Sequence, residues 1–384
     1  MKGEINEKIP AELKVSLLAN GVNFDMDMFK EYKRDFYDNQ FVYGRTSKSV
    51  MPEHKFPQVL LLGDGVVTAL LRRESSPWNL KIDEESRVML YHHNEFVQEV
   101  ALPERPPFFG KHLSDGTPTE SIIAVAGEQT PGFFIYPDCW FFANGKPCKF
   151  CSLKSTRKTA GKNMVSSFSE QNIAEATRLF QNTKWRDIPL ISITAGTAET
   201  DEETLEYIIK PIKAVHDACD PKIPIHVLVH PPHNLDLIDE YKKAGVTSIA
   251  FNIEVYDRNI FKDICPSKHL YYGYDKWFSA VERAVEVFGD YKAFCGLVWG
   301  LEPIESTMKA NEVMIDKGIG ITSNIFHADP GTGLAHRPHL DEESTLTLSK
   351  HTQKLFNEYP AARTIFEVSM RSTIDWEAKR GDFS

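Results

Sequence analysis

The chain has 384 residues, of which 42% are hydrophobic, and a formal net charge of −10 at pH 7. That length suits one large domain with a smaller one. The acidic balance disfavours a nucleic-acid-binding surface or a polybasic membrane patch. The opening MKGEINEKIP is charged and no run approaches 18 apolar residues, so we expect neither a signal peptide nor a membrane span. Six irregularly spaced cysteines do not suggest secreted disulfides, so a reducing cytoplasm is the expected compartment.

The first part of the chain, residues 1–120, predicts a small β-rich accessory domain of the α+β kind. Two amphipathic helical stretches come first, near Pro10–Asn20 and Met26–Asp38. β-like runs follow at Gln58–Leu71, Asn79–Ile82, Arg87–His92 and Phe96–Ala101. A Pro- and Gly-rich segment, Pro103–Thr119, then predicts a linker or a loop that reaches the next domain.

Short apolar runs from residue 133 onward predict buried parallel strands, because Gly, Pro or charged residues bound each one. They are Phe133–Pro137, Ile188–Thr194, Ile223–Val229, Thr247–Ile253, Lys292–Trp299 and Gly320–Phe326. Helical patterns separate these runs, and Ser167–Glu170 and Thr200–Glu203 have the spacing of capping boxes. A succession of such β–α units predicts a parallel sheet with right-handed crossovers.

This order of elements predicts an α/β fold. We expect a partial (β/α)6 TIM-type barrel over residues 121–340 and a C-terminal helical extension over residues 341–384. An open sheet of Rossmann type is the competing layout, but no Gly-x-Gly-x-x-Gly fingerprint follows a strand. In a barrel the working residues collect at the carboxyl ends of the strands.

Three cysteines follow the first of these predicted strands. Cys139, Cys148 and Cys151 lie on one stretch, and no fourth cysteine is near them in the sequence. A structural zinc or a fully ligated 4Fe–4S cluster takes four protein ligands. Three thiolates therefore indicate a metal centre with one position left for a small molecule.

The arrangement resembles the radical S-adenosylmethionine (SAM) superfamily. There, three cysteines on the loop after the first barrel strand hold a 4Fe–4S cluster, and SAM chelates the fourth iron. The usual spacing is Cys-x3-Cys-x2-Cys. This chain keeps the second gap, Cys148 to Cys151, but eight residues replace three in the first gap after Cys139. The resemblance covers roughly residues 130 to 335.

Further segments of this region resemble SAM-binding segments of that superfamily. Thr194–Glu199 is similar to its Gly-Gly-Glu segment near the SAM amino group, although Ala195 replaces the first glycine. The resemblance assigns SAM contacts to Gly196, Thr197 and Glu199. The alternative is a strand-to-helix turn at Gly196 with Glu199 as a solvated residue.

Polar residues on the fourth strand carry a second resemblance, to biotin-synthase-like members. Asn252 and Glu254 are two residues apart, so they share a face of an extended segment. In those enzymes, polar residues here bind the ribose hydroxyls and the methionyl group of SAM. A structural pair, hydrogen-bonded within the protein, is the alternative.

The ends of the fifth and sixth strands extend the resemblance to the adenine of SAM. Leu297–Glu302 is similar to the family's Gly-Leu-Glu-type segment, and the resemblance assigns a SAM contact to Trp299 within it. The backbone of Asn324–Gly333 would hold the adenine edge, and His327 of this segment is assigned a SAM contact as well. Phe150, between the last two cysteines, would pack against the same ring.

Histidines are the candidate residues for contacts with the substrate. His226 and His230 alternate with Leu228 on the third strand, so they share a face that could be the barrel interior. His230 is the better candidate for a catalytic role, and His327 could reach the same cavity. A hydrogen-bonded core histidine is the alternative for His226. We interpret Cys265 as a small buried hydrophobe rather than a radical partner.

The resemblance implies a radical SAM enzyme. A reduced cluster cleaves SAM, and a 5′-deoxyadenosyl radical then abstracts hydrogen from a small-molecule substrate, which we expect to carry a carboxylate. Bond cleavage or rearrangement follows, with lyase, mutase and transferase outcomes all open. An electron donor such as flavodoxin or ferredoxin is the expected partner, and the exposed cluster makes the enzyme oxygen-sensitive. The alternative function is a non-catalytic zinc-binding protein that uses the same three cysteines.

Overall fold

The computed structural model describes residues 10–30, 32–37, 57–136, 138–160 and 168–384. The N-terminal region begins with helix α1, Pro10–Asn20, which has the predicted bounds. Two small antiparallel sheets follow, one of two strands and one of three. Their strands are β1 (Val59–Gly63), β2 (Val66–Ala69), β3 (Trp78–Ile82), β4 (Val88–His92) and β5 (Glu95–Val100).

The second predicted helix, Met26–Asp38, is wrong over the residues that the structure describes. A 3₁₀-helix covers only Met26–Lys30, and residues 32–37 are not helical. Asp38 lies outside the described residues. The rings of Phe29 and Phe36 pack against each other at a centroid distance of 5.7 Å. Packing between aromatic residues seven positions apart has therefore overridden the local helical pattern.

The main sheet has seven strands in the spatial order β12-β11-β10-β9-β8-β7-β6. Strand β6 pairs antiparallel with β7, and each pairing from β7 to β12 is parallel. The strands are β6 (Ile123–Ala126), β7 (Thr130–Tyr136), β8 (Ile191–Ala195), β9 (Ile225–Leu228), β10 (Ser248–Ala250), β11 (Ala293–Trp299) and β12 (Gly320–Ile325). The prediction of an α/β partial (β/α)6 barrel is confirmed. Strand β6 was missed, and Pro137 of the first predicted run lies outside the described residues.

Helices connect the parallel strands, as right-handed βαβ crossovers require. They are α2 (Trp140–Ala143), α3 (Leu153–Ala160), α4 (Glu170–Asn182), α5 (Asp201–Ala218), α6 (Ile238–Lys243), α7 (Arg258–Ile264), α8 (Tyr274–Phe288) and α9 (Ile304–Asp316). Helices α10 (Glu342–Glu358) and α11 (Asp375–Arg380) follow the last strand. Within the described ranges, every helix falls short of the length and apolar character that crossing a bilayer requires.

Of the two capping boxes that the sequence predicts, one is present at the start of a helix. Thr200 caps α5, with both bonds to Glu203 present, so this capping box is confirmed. At α4 the N-cap is Ser169, whose hydroxyl accepts from the Asn172 N–H at 3.1 Å. Ser167, which we expected to provide that cap, lies outside the described residues.

A C-terminal segment joins the two edges of the main sheet. The Ser372 carbonyl accepts from the Ile325 N–H on β12 at 2.9 Å. A Cβ at Gly127, in the β6–β7 turn, would lie 3.1 Å from the Ser369 carbonyl oxygen. Behind this segment, the Ala69 N–H on β2 donates to the Arg371 carbonyl at 2.7 Å. The open side of the partial barrel is therefore bridged by residues 369–372, with the N-terminal hairpin packed on them.

Two hydrophobic clusters fill the described structure. The larger surrounds the main sheet and takes in residues of α1 and α11, such as Val15 and Ala378. The smaller lies under the N-terminal sheets and also uses α1, through Leu13 and Leu17. Helix α1 thus contributes to both cores. The division of the chain at residues 120 and 340 stays a prediction.

Candidate functional site

The cysteine loop follows β7, at the carboxyl edge of the parallel sheet. Backbone bonds fix it to the segment after β8 and to the last residue of α7. The Trp140 N–H donates to the Thr197 carbonyl at 2.7 Å, and the Lys149 N–H donates to the Ile264 carbonyl at 2.9 Å. The Ser267 hydroxyl adds a bond of 2.6 Å to the Lys146 carbonyl. The loop is therefore held in place by protein contacts to two other segments.

The three cysteines of the loop are free thiols; Cys148 is buried, and Cys139 and Cys151 are half-buried. Burial raises the pKa of the Cys139 thiol. The backbone N–H groups of Thr197 and Phe141 act in the opposite direction, because they favour the thiolate. Burial, together with the neighbouring Cys148, raises the pKa of Cys151 to about 12. Protons therefore stay on these sulfurs until a metal ion displaces them, since metal ligation requires the thiolate.

The pKa of Cys148 differs from those of the other two cysteines. The neighbouring Cys265 thiol is the main cause that lowers the Cys148 pKa, and it outweighs burial, which acts in the opposite direction. Both residues are buried. The sequence interpretation of Cys265 as a buried residue agrees with this placement, but its place beside a loop cysteine was not foreseen.

Among the described residues, no three His, Cys, Asp or Glu side chains converge on one point that could hold a single metal ion. A cubane cluster binds each cysteine to a different iron, so its ligands need not converge in that way.

Gly196 lies where the end of β8 meets the cysteine loop. A Cβ at this position would lie 1.8 Å from the Asp138 carbonyl oxygen, so only glycine permits the approach. Thr197 is buried beside it and accepts the bond from Trp140. Glu199 is exposed and, with Cys139, lines a cavity of about 580 Å³.

Asn252 and Glu254 extend β10 beyond its regular part. The Asn252 side-chain oxygen accepts from the Gly296 N–H at 2.8 Å, and a Cβ at Gly296 would lie 2.7 Å from the Asn252 side chain. Glu254 has a φ of 75°, which costs about 1–3 kcal/mol for such a residue. The backbone is therefore not extended through Glu254, although the same-face prediction assumed that it was.

Lys268 is a member of the site that the sequence interpretation missed. Its Nζ donates to the Asn252 carbonyl at 2.7 Å and to Glu254 Oε1 at 3.0 Å, and lies 4.6 Å from the Trp277 ring centroid. Burial alone would lower its pKa, but Glu254 and the thiol of Cys148 outweigh burial and raise it. It lies 14 residues after Glu254 in the sequence, and no motif marks it there.

The two strand histidines lie in different surroundings. His226, on β9, meets the Ser248 hydroxyl at 2.8 Å through Nδ1. His230 follows β9, meets the Pro231 carbonyl at 2.8 Å through Nδ1, and packs against Phe141 of the cysteine loop at 5.5 Å. Burial lowers the pKa of each imidazole to about 3, so both are neutral at physiological pH. Among the described residues, His230 Nε2 has no hydrogen-bond partner.

The loop after β12 also reaches the cysteine loop. Ser152 donates a hydrogen bond to Asp329, and a Cβ at Gly331 would lie 2.5 Å from Ser155 Oγ. His327, at the start of this loop, meets the Ser372 hydroxyl at 2.8 Å through Nε2. Burial is the main cause that holds the pKa of His327 well below its ordinary value, and the charge of Arg371 is the next largest cause.

Phe150 and Trp299, the predicted adenine neighbours, occupy apolar surroundings. Phe150 is half-buried and packs against the main core. Trp299 is buried on β11, and its Nε1 has no hydrogen-bond partner among the described residues.

Two cavities lie against the cysteine loop besides the one at Glu199 and Cys139. One of about 240 Å³ is lined by Cys148, Cys151 and Pro266, together with residues 331–333. One of about 100 Å³ brings Glu199 and His230 to the same lining. The structure thus gathers the predicted residues of β8, β9, β10 and β12 around one loop.

Comparison with known proteins identifies the class. Residues 135–309 match the family model of the Radical SAM superfamily, and this match contains all three loop cysteines. The matched residues, 175 of the 384, are therefore similar to that superfamily. The match agrees with the resemblance inferred from the cysteine spacing, and enzymes of that superfamily use a 4Fe–4S cluster and SAM. The site residues assigned above stay predictions.

Two curated relatives are similar over parts of their length. The bacteriochlorophyllide c C-7(1)-hydroxylase of Chlorobaculum limnaeum is 22% identical over 264 residues, 64% of each chain. The biotin synthase of Campylobacter lari is 28% identical over 211 residues, 55% of this chain and 71% of that enzyme. The chain thus spans slightly less than two thirds of the hydroxylase.

Among solved structures, methylornithine synthase is similar with a TM-score of 0.45 and 18% identity. The similarity covers 61% of this chain and 63% of the synthase.

Proposed function

We propose that this protein is a radical SAM enzyme in which Cys139, Cys148 and Cys151 hold one 4Fe–4S cluster. The observation that carries the proposal is that the superfamily domain, residues 135–309, contains these three cysteines on a loop fixed at the carboxyl edge of its parallel sheet. When bound, the cluster and SAM supply a 5′-deoxyadenosyl radical that abstracts hydrogen. The protein contributes positioning, exclusion of water and control of charge.

The buried surroundings of the cysteines support the proposed cluster. The Thr197 and Phe141 N–H groups face the Cys139 sulfur, which favours its ligating thiolate form. The Leu153 N–H does the same for Cys151. These donors remain in place when iron replaces the protons, so they stabilise the negative charge of the ligated sulfurs.

We assign SAM contacts to residues on the strand ends around the loop. Lys268 offers a buried positive charge beside Glu254, suited to the carboxylate of SAM. Glu254 and the Thr197–Glu199 segment present acceptors for its amino group and ribose hydroxyls. Asn252 would add a contact only through its amide nitrogen, because its oxygen is engaged by the Gly296 N–H. Phe150, Trp299 and the backbone at His327 are proposed for the adenine.

The proposed substrate is a small molecule that carries a carboxylate. His230, neutral and with a free Nε2 among the described residues, can accept a hydrogen bond from a substrate but cannot supply positive charge. After burial, the positive charges of Arg371 and Arg73 contribute to lowering the pKa of His327, and we propose these two side chains as the partners of a substrate carboxylate. A carboxylate is favoured there. The two curated relatives act on different molecules by name, so neither substrate is transferred.

The reaction outcome is proposed to be bond cleavage or rearrangement. A one-electron donor such as flavodoxin or ferredoxin would reduce the cluster, in a reducing and oxygen-poor cytoplasm where buried thiols persist. We propose neither a nucleic acid nor a membrane as partner, in keeping with the net charge of −10.

The test is anaerobic reconstitution with iron and sulfide, followed by an absorbance spectrum and an assay for 5′-deoxyadenosine with dithionite and SAM. We expect a brown protein that releases 5′-deoxyadenosine. A colourless protein that instead retains one zinc per chain after reconstitution would establish the alternative function.

A further inference from the structure

The stretch that carries the three cysteines is basic, although the chain as a whole is acidic. Residues 139–157 contain four basic residues and no acidic one, in a chain with a net charge of −10. The four are Lys146, Lys149, Lys154 and Arg157. Lys146 and Lys154 are exposed, and neither forms an ion pair with another residue that the structure describes. The surface of the cysteine loop therefore presents positive charge that the described protein leaves unmatched.

The other two basic residues are each matched by one acid. Lys149 forms an ion pair with Asp263, and Arg157 forms one with Asp138. All four of these side chains are partly exposed, so the pairs lie at the surface. Each pair is neutral as a unit. The excess of positive charge on this face therefore comes from the two unmatched lysines.

Those two lysines border openings that reach the cysteines. Lys146 lines the cavity of about 240 Å³ together with Cys148 and Cys151. Lys154 lines the cavity of about 580 Å³ together with Cys139. A partner that covered both lysines would therefore lie next to all three cysteines, where the path for an electron into the proposed cluster is short.

Exposed apolar side chains lie on the same face. Among the described residues, three large hydrophobic side chains are exposed, and two of them are Leu270 and Tyr271. The Tyr271 ring packs against Trp140 of the cysteine loop at a centroid distance of 4.7 Å, and its hydroxyl accepts from the Asn144 amide. Leu270, the residue before it, is 56% exposed. Adjacent exposed apolar groups beside charged ones are typical of a surface that binds another protein.

We propose that this face, formed by Lys146, Lys154, Leu270 and Tyr271, is the docking surface for an acidic electron-carrier protein. The proposal rests on the proposed function, since it takes the three cysteines as ligands of a cluster that must be reduced. One electron leaves the reduced carrier and enters the cluster, so the carrier is oxidised by one electron and no bond is made or broken. Charge complementarity selects an acidic carrier, because opposite charges speed and orient the encounter of two proteins.

The experiment measures 5′-deoxyadenosine production from SAM with two reductants. One is a reduced flavodoxin of net negative charge, below saturation, and the other is photoreduced deazariboflavin, a small uncharged molecule that needs no docking surface. K146E/K154E reverses both charges, K146Q/K154Q only removes them, and L270D adds an acid to the apolar part. K213E/K350E is the matched control, because it reverses two exposed lysines on α5 and α10.

With flavodoxin at low ionic strength, we expect the rate of K146E/K154E to fall by about 10-fold or more. K146Q/K154Q and L270D should be slowed less. Added salt should slow wild type, because it screens the attraction between the two proteins. With deazariboflavin, every variant should keep the wild-type rate and iron content, and K213E/K350E should match wild type with both reductants.

Other outcomes contradict the proposal in separable ways. A flavodoxin rate that is independent of salt in wild type and unchanged in K146Q/K154Q would overturn the docking surface and leave the proposed function standing. These two measurements decide the matter even if K146E/K154E assembles no cluster. An equal fall in K213E/K350E would assign the effect to net charge and overturn the surface as well.

Two further results concern wild type itself. A wild-type dimer that L270D converts to a monomer would make this face an interface between two copies of the chain, and the docking proposal would be wrong. Wild type that produces no 5′-deoxyadenosine with either reductant would overturn the proposed function, and this inference with it.

Discussion

Two buried lysines, Lys14 and Lys268, each face a glutamate, yet they belong to different kinds of site. Lys14 of α1 lies 2.8 Å from Glu377 of α11, and both side chains are fully buried. Its Nζ also donates to the Met370 carbonyl at 2.7 Å and to the Ser369 hydroxyl at 3.1 Å. This ion pair joins the N-terminal helix to the C-terminal segment that bridges the barrel edges.

The two lysines differ in the balance of charge around them. Burial lowers the pKa of Lys14, and Glu377 offsets only part of that effect. At Lys268, Glu254 together with the thiol of Cys148 outweighs burial and raises the pKa. Lys268 therefore keeps its positive charge to a higher pH than an exposed lysine does, whereas Lys14 loses its charge at a lower pH.

The largest expected effect lies in the Lys268 region, at the loop cysteines. Replacing Cys139, Cys148 or Cys151 by Ala should reduce 5′-deoxyadenosine production to background, because two thiolates do not hold the cluster stably. Iron content and product are measured for each variant. Cys219→Ala, outside the loop, is the control and should behave as wild type. Normal output from C139A would mean that the eight-residue gap hides a different ligand.

The next prediction tests the Lys14 region. Lys14→Met leaves Glu377 buried without its partner, so we expect the free energy of unfolding to fall by about 3–5 kcal/mol. Urea denaturation measures this loss. The double variant Lys14→Met, Glu377→Leu should regain much of it, because no uncompensated charge remains. If K14M were as stable as wild type, the pair would not be the structural contact described above.

Lys268→Met makes the same substitution at the second buried lysine. We expect cluster assembly to persist and SAM affinity to fall by roughly 10- to 150-fold, the equivalent of losing a hydrogen bond to a charged group, about 1.5–3 kcal/mol. Equilibrium binding to the reconstituted protein measures this change. If K268M lost as much stability as K14M and still bound SAM normally, Lys268 would be a structural residue like Lys14.

The strands and the cysteine loop could be predicted because their signals are local. Runs such as Lys292–Trp299 are apolar on both faces, and the loop is marked by its thiols. The surroundings of Lys268 could not be predicted in that way. Its partners come from the ends of separate elements, and the positive φ of Glu254 depends on that packing. The backbone bond between Lys149 and Ile264 joins segments more than 100 residues apart, which no local pattern specifies.

Smaller effects are expected from the neighbours of Lys268. Changing Asn252 or Glu254 to Ala should weaken SAM binding by about 1–3 kcal/mol, or roughly 5- to 150-fold, with the cluster assembled. Asn252→Ala also removes the acceptor of the Gly296 N–H, so its stability should fall more than that of Glu254→Ala. Unchanged SAM affinity in both variants would assign the two residues to the fold alone.

The smallest effect concerns the pH dependence of the Lys14 region, at Asp375. This carboxyl accepts from the Ser323 hydroxyl at 2.6 Å and from the Ser323 N–H at 3.0 Å. Burial nevertheless raises its pKa to about 6, against the effect of these bonds. The folded state therefore holds the proton more tightly than the unfolded state, whose Asp titrates near 3.9. Between those two pKa values the stability contribution of this group falls as pH rises, opposite to the usual behaviour of a paired carboxylate.

Across the window from pH 5 to pH 7, this group should therefore lower the free energy of unfolding by about 1 kcal/mol, because protonation favours the folded state below its folded pKa. Asp375→Asn cannot titrate, so the difference in unfolding free energy between wild type and D375N isolates the effect from all other groups. Urea denaturation at pH 5, 6 and 7 measures it. Wild type should lose stability relative to D375N as the pH rises. A constant difference over this range would show that Asp375 stays ionised, and that its bonds to Ser323 outweigh burial.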